Sequence, residues 1–140
     1  MKPLLATYIS LPGTAAEAMQ HWQDVFGGEL SITRYGDLGL EGIPFDPDPQ
    51  AVAHSTLVLP GGTIAAGDAM GDGEYPLTGT AYSLLYTAGS ADEARTAIGK
   101  LEAGGGQMNM PFAVAPWGDW YGQVLDRFGV MWAFTAPAGS

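Results

Sequence analysis

The chain contains no cysteine, which excludes disulfides, thiolate metal sites and a cysteine nucleophile. Positive charge is also scarce, with five Lys and Arg residues against fifteen Asp and Glu and a net charge of −10. Because nucleic acids and anionic membranes would both be repelled by such a chain, we expect it to bind neither. No apolar run approaches the ~20 residues of a membrane span. The N-terminus lacks the basic start and long apolar stretch of a signal peptide, which predicts a cytoplasmic protein.

The residues that are present are typical of a globular domain. A chain of 140 residues with 46% hydrophobic residues is long enough and apolar enough to bury one core. The acidity is explained most simply as a means of keeping the protein in solution. Attraction of a cationic ligand is a second interpretation, and the sequence leaves it open.

Two segments carry the same helix-start signal, at residues 13–18 and 89–94. In each, a Thr or Ser is followed three residues later by Glu, the spacing of a capping box. Apolar residues then recur at helical spacing, and each predicted helix ends at glycines. The positions in question are Thr14 with Glu17, Ser90 with Glu93, Gly27 and Gly104. This correspondence predicts a duplicated structural unit.

Strand-like runs surround each predicted helix, so that both halves have the order strand, helix and three strands. The first half contains a hairpin through residues 60–62, and a turn at Gly61 and Gly62 would place Val58 opposite Ala65. Residues 36–49 and 68–78 are predicted loops. We therefore predict a single α+β domain over residues 1–140, with module one at about 1–70 and module two at about 78–137. The predicted strands are 4–9, 29–35, 51–59, 63–67, 80–86, 108–114, 121–125 and 130–134.

Five local strings make the duplicated sequence resemble a known superfamily. They are AEA at 16–18, VFGGEL at 25–30, AHS at 53–55, WGDWYG at 117–122 and DRFGVMW at 126–132. Together they are similar to the PhnB-like branch of the glyoxalase/bleomycin-resistance/dioxygenase superfamily, also called vicinal oxygen chelate proteins. The resemblance implies that two βαβββ modules form a curved, cupped mixed sheet with helices on its outer face, and it implies a homodimer.

Metal-dependent members of that superfamily hold a divalent ion with His and Glu side chains from four strands. The corresponding positions here are Ala6, Ala65, Ser83 and Ala133. Alanine donates nothing to a metal, and a serine hydroxyl is a poor ligand by itself. No glycine-rich loop with an acidic residue downstream suits a nucleotide-type cofactor either. We therefore expect no metal and no cofactor.

Alternation along the strands predicts which side chains occupy the sheet face opposite the helices. His54 is the candidate general base or ligand anchor on this face, and the aromatic residues near Gly118 could stack on a ligand. The predicted ligand-binding residues are Tyr8, His54, Thr56, Ser83, Leu85, Met131, Trp117 and Trp120, with Thr135 and Tyr121 nearby. The residues predicted to pack under the helices are Leu5, Ile9, Leu84, Val130, Trp132 and Phe134.

Simpler structural roles are available for most of these polar and aromatic groups. His54 could bond to the backbone at a strand end, and His21 could be a surface helix residue. The tryptophans could pack in a loop or a dimer interface. The remaining expectations concern acidic residues: Asp68 and Asp72 are solvated, Asp119 and Asp126 set turns, and Asp126 pairs with Arg127.

Three functional hypotheses follow, and the sequence does not decide whether the chain is an enzyme. The first is a metal-free protein that holds a small, partly aromatic organic molecule in the cavity of the sheet, for which a cation would suit the acidity. The second is an enzyme of unassigned reaction (lyase, isomerase or oxygenase-like) with His54 as general base and Ser83 or Tyr8 as its hydrogen-bond partner. The third is a metal enzyme whose ligands lie elsewhere.

Overall fold

The protein divides into two compact units, Met1–Gly73 and Glu74–Ser140. The structure, a computed structural model, describes residues 3–38, 46–69 and 76–140. The first unit contains β1 (Thr7–Leu11), α1 (Ala15–Phe26), β2 (Glu29–Arg34), a 3-10 turn (Tyr35–Asp37), β3 (Val52–Leu59) and β4 (Gly62–Asp68). The second contains β5 (Leu84–Thr87), α2 (Ala91–Ala103), β6 (Gln107–Val114), β7 (Trp120–Leu125) and β8 (Met131–Ala136).

Each unit is a four-stranded mixed sheet with one helix, and the two sheets have the same topology. The strand orders are β1-β4-β3-β2 and β5-β8-β7-β6. In each sheet the first and last strands of the unit are parallel and the other pairs are antiparallel. This confirms the predicted α+β class and the repeat of strand, helix and three strands. No helix of the described segments is long and apolar enough to cross a membrane.

Both helices bury the apolar stripe that their sequences predict. Trp22 is fully buried, and Phe26 at the end of the first stripe is half-buried. Burying a side chain the size of Met or Phe stabilises the fold by about 1.5–3 kcal/mol, so these stripes hold each helix to its sheet. The buried helix residues are Ala15, Ala18, Met19, Trp22 and Val25 in α1 and Ala91, Ala94, Ala97, Ile98 and Leu101 in α2.

The first strand of each unit begins later than its sequence predicts. The β1 ladder starts where Thr7 pairs with Ile64, and the β5 ladder starts where Leu84 pairs with Trp132. Leu5 therefore precedes the sheet and is 97% exposed, so its predicted core position is wrong. Apolar character alone cannot locate this boundary, because the partner strand decides where pairing begins. The other predicted core positions, Ile9, Val130, Trp132 and Phe134, are buried, and Leu84 is half-buried.

The β3–β4 hairpin turns one residue earlier than predicted. Leu59 pairs with Gly62 and Thr56 with Ala65, whereas the predicted register places Val58 opposite Ala65. The partner of Ala65 has shifted by two residues, and side chains alternate with a period of two. His54 consequently stays on the face that the sequence predicts for it.

The N-terminus of α1 is capped from a distant strand. Thr14 makes no side-chain capping bond, contrary to the predicted capping box. Instead the Asp68 carboxylate accepts hydrogen bonds from the Ala15 N–H at 2.9 Å and the Val52 N–H at 2.8 Å. The prediction that Asp68 is merely solvated is therefore wrong, since its carboxylate joins the start of α1 to the start of β3. Asp72 lies outside the described residues.

The N-terminus of α2 has the predicted local cap. The Ser90 hydroxyl accepts from the Glu93 N–H at 3.1 Å. The Glu93 carboxylate accepts from the Gly89 N–H, also at 3.1 Å, one residue before the expected donor. The Ser140 hydroxyl oxygen accepts a further bond from the Ala91 N–H at 3.0 Å.

Asp126 organises the β7–β8 turn, as the sequence predicts. Its carboxylate is buried and accepts from the backbone N–H groups of Phe128 and Val130 at 2.9 and 3.0 Å. It also accepts from Trp132 Nε1 at 2.9 Å. The guanidinium of Arg127 lies over the Phe128 ring, 4.1 Å from its centroid.

Replacement of Asp68 by Ala should destabilise the protein much more than replacement of Thr14 by Ala. The first change removes the acceptor of two hydrogen bonds to a charged group, which should lower the free energy of unfolding by about 3 kcal/mol. The second removes no capping bond and should cost about 0.5 kcal/mol or less. Urea unfolding of both variants measures the difference, and equal losses would contradict the assigned cap.

A second prediction concerns Tyr86, which faces α2 from β5. Burial raises the pKa of the Tyr86 phenol above its ordinary value of 10.0, and the charge of Glu93 and a hydrogen bond to it act in the same direction. The unfolded chain therefore loses this proton at lower pH than the folded protein does. The resulting stability is present below pH 10 and is lost as pH rises through the folded pKa. Urea unfolding from pH 9 to pH 11 should show a smaller decline for Tyr86→Phe than for the unsubstituted protein.

Candidate functional site

In the first unit, alternate side chains of the sheet face away from α1. Leu57 and Ile64 are buried on the helix side, whereas Tyr8, Thr56 and Ala65 lie in one cross-strand row on the other side. This open face carries the residues that the sequence predicts for it: Tyr8 is 53% exposed, His54 is exposed and Thr56 is half-buried.

Tyr8 and His54 form a stacked aromatic pair on this face. Their ring centroids are 5.9 Å apart and the planes differ by 19°. The Tyr8 ring extends along the sheet over Gly67, where an added Cβ would lie 2.5 Å from the Tyr8 hydroxyl. Gly67 therefore leaves the space that the ring occupies, and a larger residue would have to displace it.

The His54 imidazole has no hydrogen-bond partner among residues 3–38, 46–69 and 76–140. Its cross-strand neighbour on β2 is Thr33, and its ring contact is with Tyr8. The ring nitrogens of an exposed and unengaged imidazole are available to accept or donate a hydrogen bond. This geometry suits both roles predicted for His54, ligand anchor and general base.

The open face of the second unit carries a row of connected polar side chains. Asn109 Nδ2 donates to Gln123 Oε1 at 2.7 Å, and Gln123 Nε2 donates to the Tyr121 hydroxyl oxygen at 3.0 Å. Trp117 completes the row, packing edge-to-face against Tyr121 with centroids 5.7 Å apart and planes at 67°. Trp117 is 66% exposed.

The structure brings together some of the predicted ligand-binding residues of this unit and separates others. Leu85 pairs with Ala133 and is 63% exposed, and Met131 and Thr135 share its face. Ser83, in contrast, precedes β5 and lies outside the sheet ladder. Its role in ligand binding stays a prediction.

Trp120 lies on the opposite side of the sheet from Trp117 and Tyr121. Its ring stacks on Phe112 with centroids 5.4 Å apart, and the Arg95 guanidinium of α2 lies 4.7 Å from its centroid. Arg95 also forms an ion pair with Asp92 at 2.9 Å. Trp120 therefore packs between the sheet and α2, because neighbouring strand residues point to opposite faces.

Sequence reasoning missed Gln123 and Asn109. Alternation along β7 could have identified Gln123, which lies two residues beyond Tyr121 on the same face. No local signal could have identified Asn109, because the β6–β7 register shifts on both sides of Met110. Such irregularities break the period-two rule that assigns side chains to faces.

The residues at the positions implied for a metal do not fit a divalent ion. Ala6 and Ser83 precede β1 and β5, and the strand neighbours of Ala65 and Ala133 are instead Tyr8 and Leu85. None of these side chains is a His or a carboxylate. In the part of the chain that the structure describes, no three His, Asp or Glu residues are grouped where they could hold a metal.

Comparisons with known proteins agree with the topology and with the motifs. The chain is 28% identical over 138 residues to protein YjdN of Escherichia coli strain K12, covering 91% of each sequence. The solved structure of PA1353 from Pseudomonas aeruginosa superposes with a TM-score of 0.84 at 25% identity, covering 98% of this chain and 99% of that one.

A second solved structure is described as a putative 3-demethylubiquinone-9 3-methyltransferase, PhnB protein, from Bacillus cereus. It superposes with a TM-score of 0.75 at 27% identity, covering 94% of this chain and 98% of that one. The predicted similarity to PhnB-like proteins is thereby confirmed. The family model of the glyoxalase/bleomycin resistance protein/dioxygenase superfamily matches residues 8–134. The chain therefore belongs to the glyoxalase/bleomycin resistance protein/dioxygenase superfamily.

Proposed function

We propose that this protein binds small organic molecules on the sheet face of each unit that points away from its helix, without the help of a metal ion. Aromatic rings, hydroxyls and amides line these faces, which is the mixture that small-molecule sites use. The lack of a fitting set of metal ligands at the implied positions favours binding through rings and hydrogen bonds. The expected homodimer and cytoplasmic location stay predictions.

The observation that carries this proposal is the Tyr8–His54 pair above Gly67. Two nearly parallel and exposed rings offer a flat surface to a planar ligand, and aromatic pairs contribute about 0.5–1.5 kcal/mol beyond their buried area. The net charge of −10 favours a cationic ligand, whose charge the π-face of Tyr8 would also attract.

Replacement of Gly67 by Ala should weaken the binding of a planar cation by about fivefold, because the new methyl group displaces the Tyr8 ring and the stack is worth roughly 1 kcal/mol. N-methylquinolinium is a suitable cationic probe, and 1-methylnaphthalene is a neutral probe for comparison with it. Both can be titrated by tryptophan fluorescence. Tyr8→Ala should produce a similar loss.

Gly61→Ala is the matched control, since a Cβ at Gly61 meets nothing within 4 Å. It should leave the affinity of both probes unchanged. Equal affinities for the unsubstituted protein, Gly67→Ala and Tyr8→Ala would count against the proposed binding surface. Urea unfolding of each variant separates lost binding from lost folding.

The imidazole nitrogens of His54, which have no hydrogen-bond partner in the described segments, favour a second function, general-base catalysis on a bound carbonyl compound. A base on this face would remove a proton from the carbon next to the carbonyl group and later return one from solvent. In deuterated water, proton NMR should then show faster exchange of that hydrogen in 1-indanone with the unsubstituted protein than with His54→Gln. Equal exchange rates for the unsubstituted protein and His54→Gln would show that His54 does not act as a base and would limit it to a binding role.

A further inference from the structure

We propose that the open face of the second unit recognises a carbonyl-type oxygen on a planar, uncharged organic group, and that the Tyr121 hydroxyl donates the hydrogen bond to it. This inference rests on the proposed binding function and names the chemistry of the ligand on this unit.

The first support is the direction of the hydrogen-bonded row. Asn109 donates to Gln123, and Gln123 donates in turn to the Tyr121 oxygen. The Tyr121 oxygen thus acts as an acceptor, and its own proton remains to be donated. No group in the described segments accepts that proton. Because hydrogen bonds in a chain polarise one another, the terminal phenol is a stronger donor than an isolated one.

The second support is the absence of charge from the sheet that carries the row. The sequences of β5, β6, β7 and β8 contain no Asp, Glu, Lys, Arg or His. This neutrality stands out in a chain with fifteen acidic and five basic residues. A charged ligand group on this face would lose water without gaining an opposite charge, which is costly. A neutral oxygen acceptor avoids that cost and still pairs with the phenol.

The third support is the flat surface beside the donor. The Trp117 ring is 66% exposed and meets the Tyr121 ring edge-on at 5.7 Å between centroids. A planar ligand stacked on Trp117 would bring an oxygen at its edge toward the Tyr121 hydroxyl. Half-buried Tyr121 is itself fixed in the sheet by its pairing with Thr135, whose hydroxyl donates to the Trp120 carbonyl at 3.0 Å.

This arrangement makes Gln123 and Asn109 positioning residues. They act on the ligand through Tyr121, because their amides determine which way the phenolic proton points. Reversing the amide that contacts Tyr121 would turn the phenol from a donor into an acceptor toward the ligand. The direction of the hydrogen bonds along the row can thus be tested separately from the presence of the row.

Two probes that differ in one carbonyl group test the proposal, namely 1-indanone and indane. The intact protein should bind 1-indanone about fivefold more tightly than indane, the range of one net neutral hydrogen bond. Tyr121→Phe should bind the two about equally, since it keeps the ring and removes the donor. The infrared carbonyl stretch of bound 1-indanone should fall relative to free 1-indanone in the intact protein and should not fall in Tyr121→Phe.

The variants Gln123→Glu and Gln123→Met separate the effect of hydrogen-bond direction at residue 123 from the effect of its side-chain packing. The carboxylate of Gln123→Glu, ionised at pH 8, would accept from both Asn109 and the Tyr121 hydroxyl, so the phenol would present only its oxygen. The preference for 1-indanone over indane should then disappear. Gln123→Met leaves the Tyr121 proton free and should keep a preference of about twofold or more. A merely structural role for Gln123 would give the same result in both variants.

The possible failures are distinguishable. Equal binding of 1-indanone and indane by the intact protein, or an equal preference in Gln123→Glu, would overturn this inference and leave the proposed function standing. If neither indane probe nor N-methylquinolinium bound the folded protein, the proposed function and this inference would both fail.

Discussion

The parallel ladder between the first and last strands of each unit is the constraint on which the rest of the structure depends. Parallel pairing puts the ends of both strands at the same edge of the sheet, and in each unit the helix starts at that edge. The end of β4 thus lies where α1 begins, so Asp68 can cap that helix. Ser140 reaches the start of α2 in the same way, because it follows β8. Two different residues meet the same need for an acceptor at a helix N-terminus.

The same ladder builds the open face of the first unit. It places Tyr8 beside Ala65 and Ser10 beside Gly67, so the Tyr8 ring can extend over a position that has no side chain. Without the parallel register the ring would meet a different residue of β4. The Tyr8–His54 pair is therefore a product of strand pairing between segments that are far apart in the chain.

The two units share a topology and differ in the chemistry of their open faces. The first unit offers an aromatic pair that includes an exposed imidazole, in a sheet that also contains Glu29 and Arg34. The second offers a row of amides and a phenol in a sheet without any charged residue. A duplicated framework has thus kept its backbone hydrogen bonds while the outward side chains have diverged. Function in such a fold depends on those side chains, because the framework itself carries no chemistry.

The sequence by itself determined the two helices, the α+β class, the order of the elements and the superfamily. These features depend on local spacing: apolar residues at helical intervals, glycines after each helix, and motifs such as the string at 126–132. The face of His54 could be predicted even with the hairpin register displaced, since a shift of two residues preserves alternation. Tertiary structure alone decided the start of β1, the capping role of Asp68 and the contact of Asn109 with Gln123. Each of these depends either on which distant segments pair with each other or on the irregular register of β6, and neither is encoded in local periodicity.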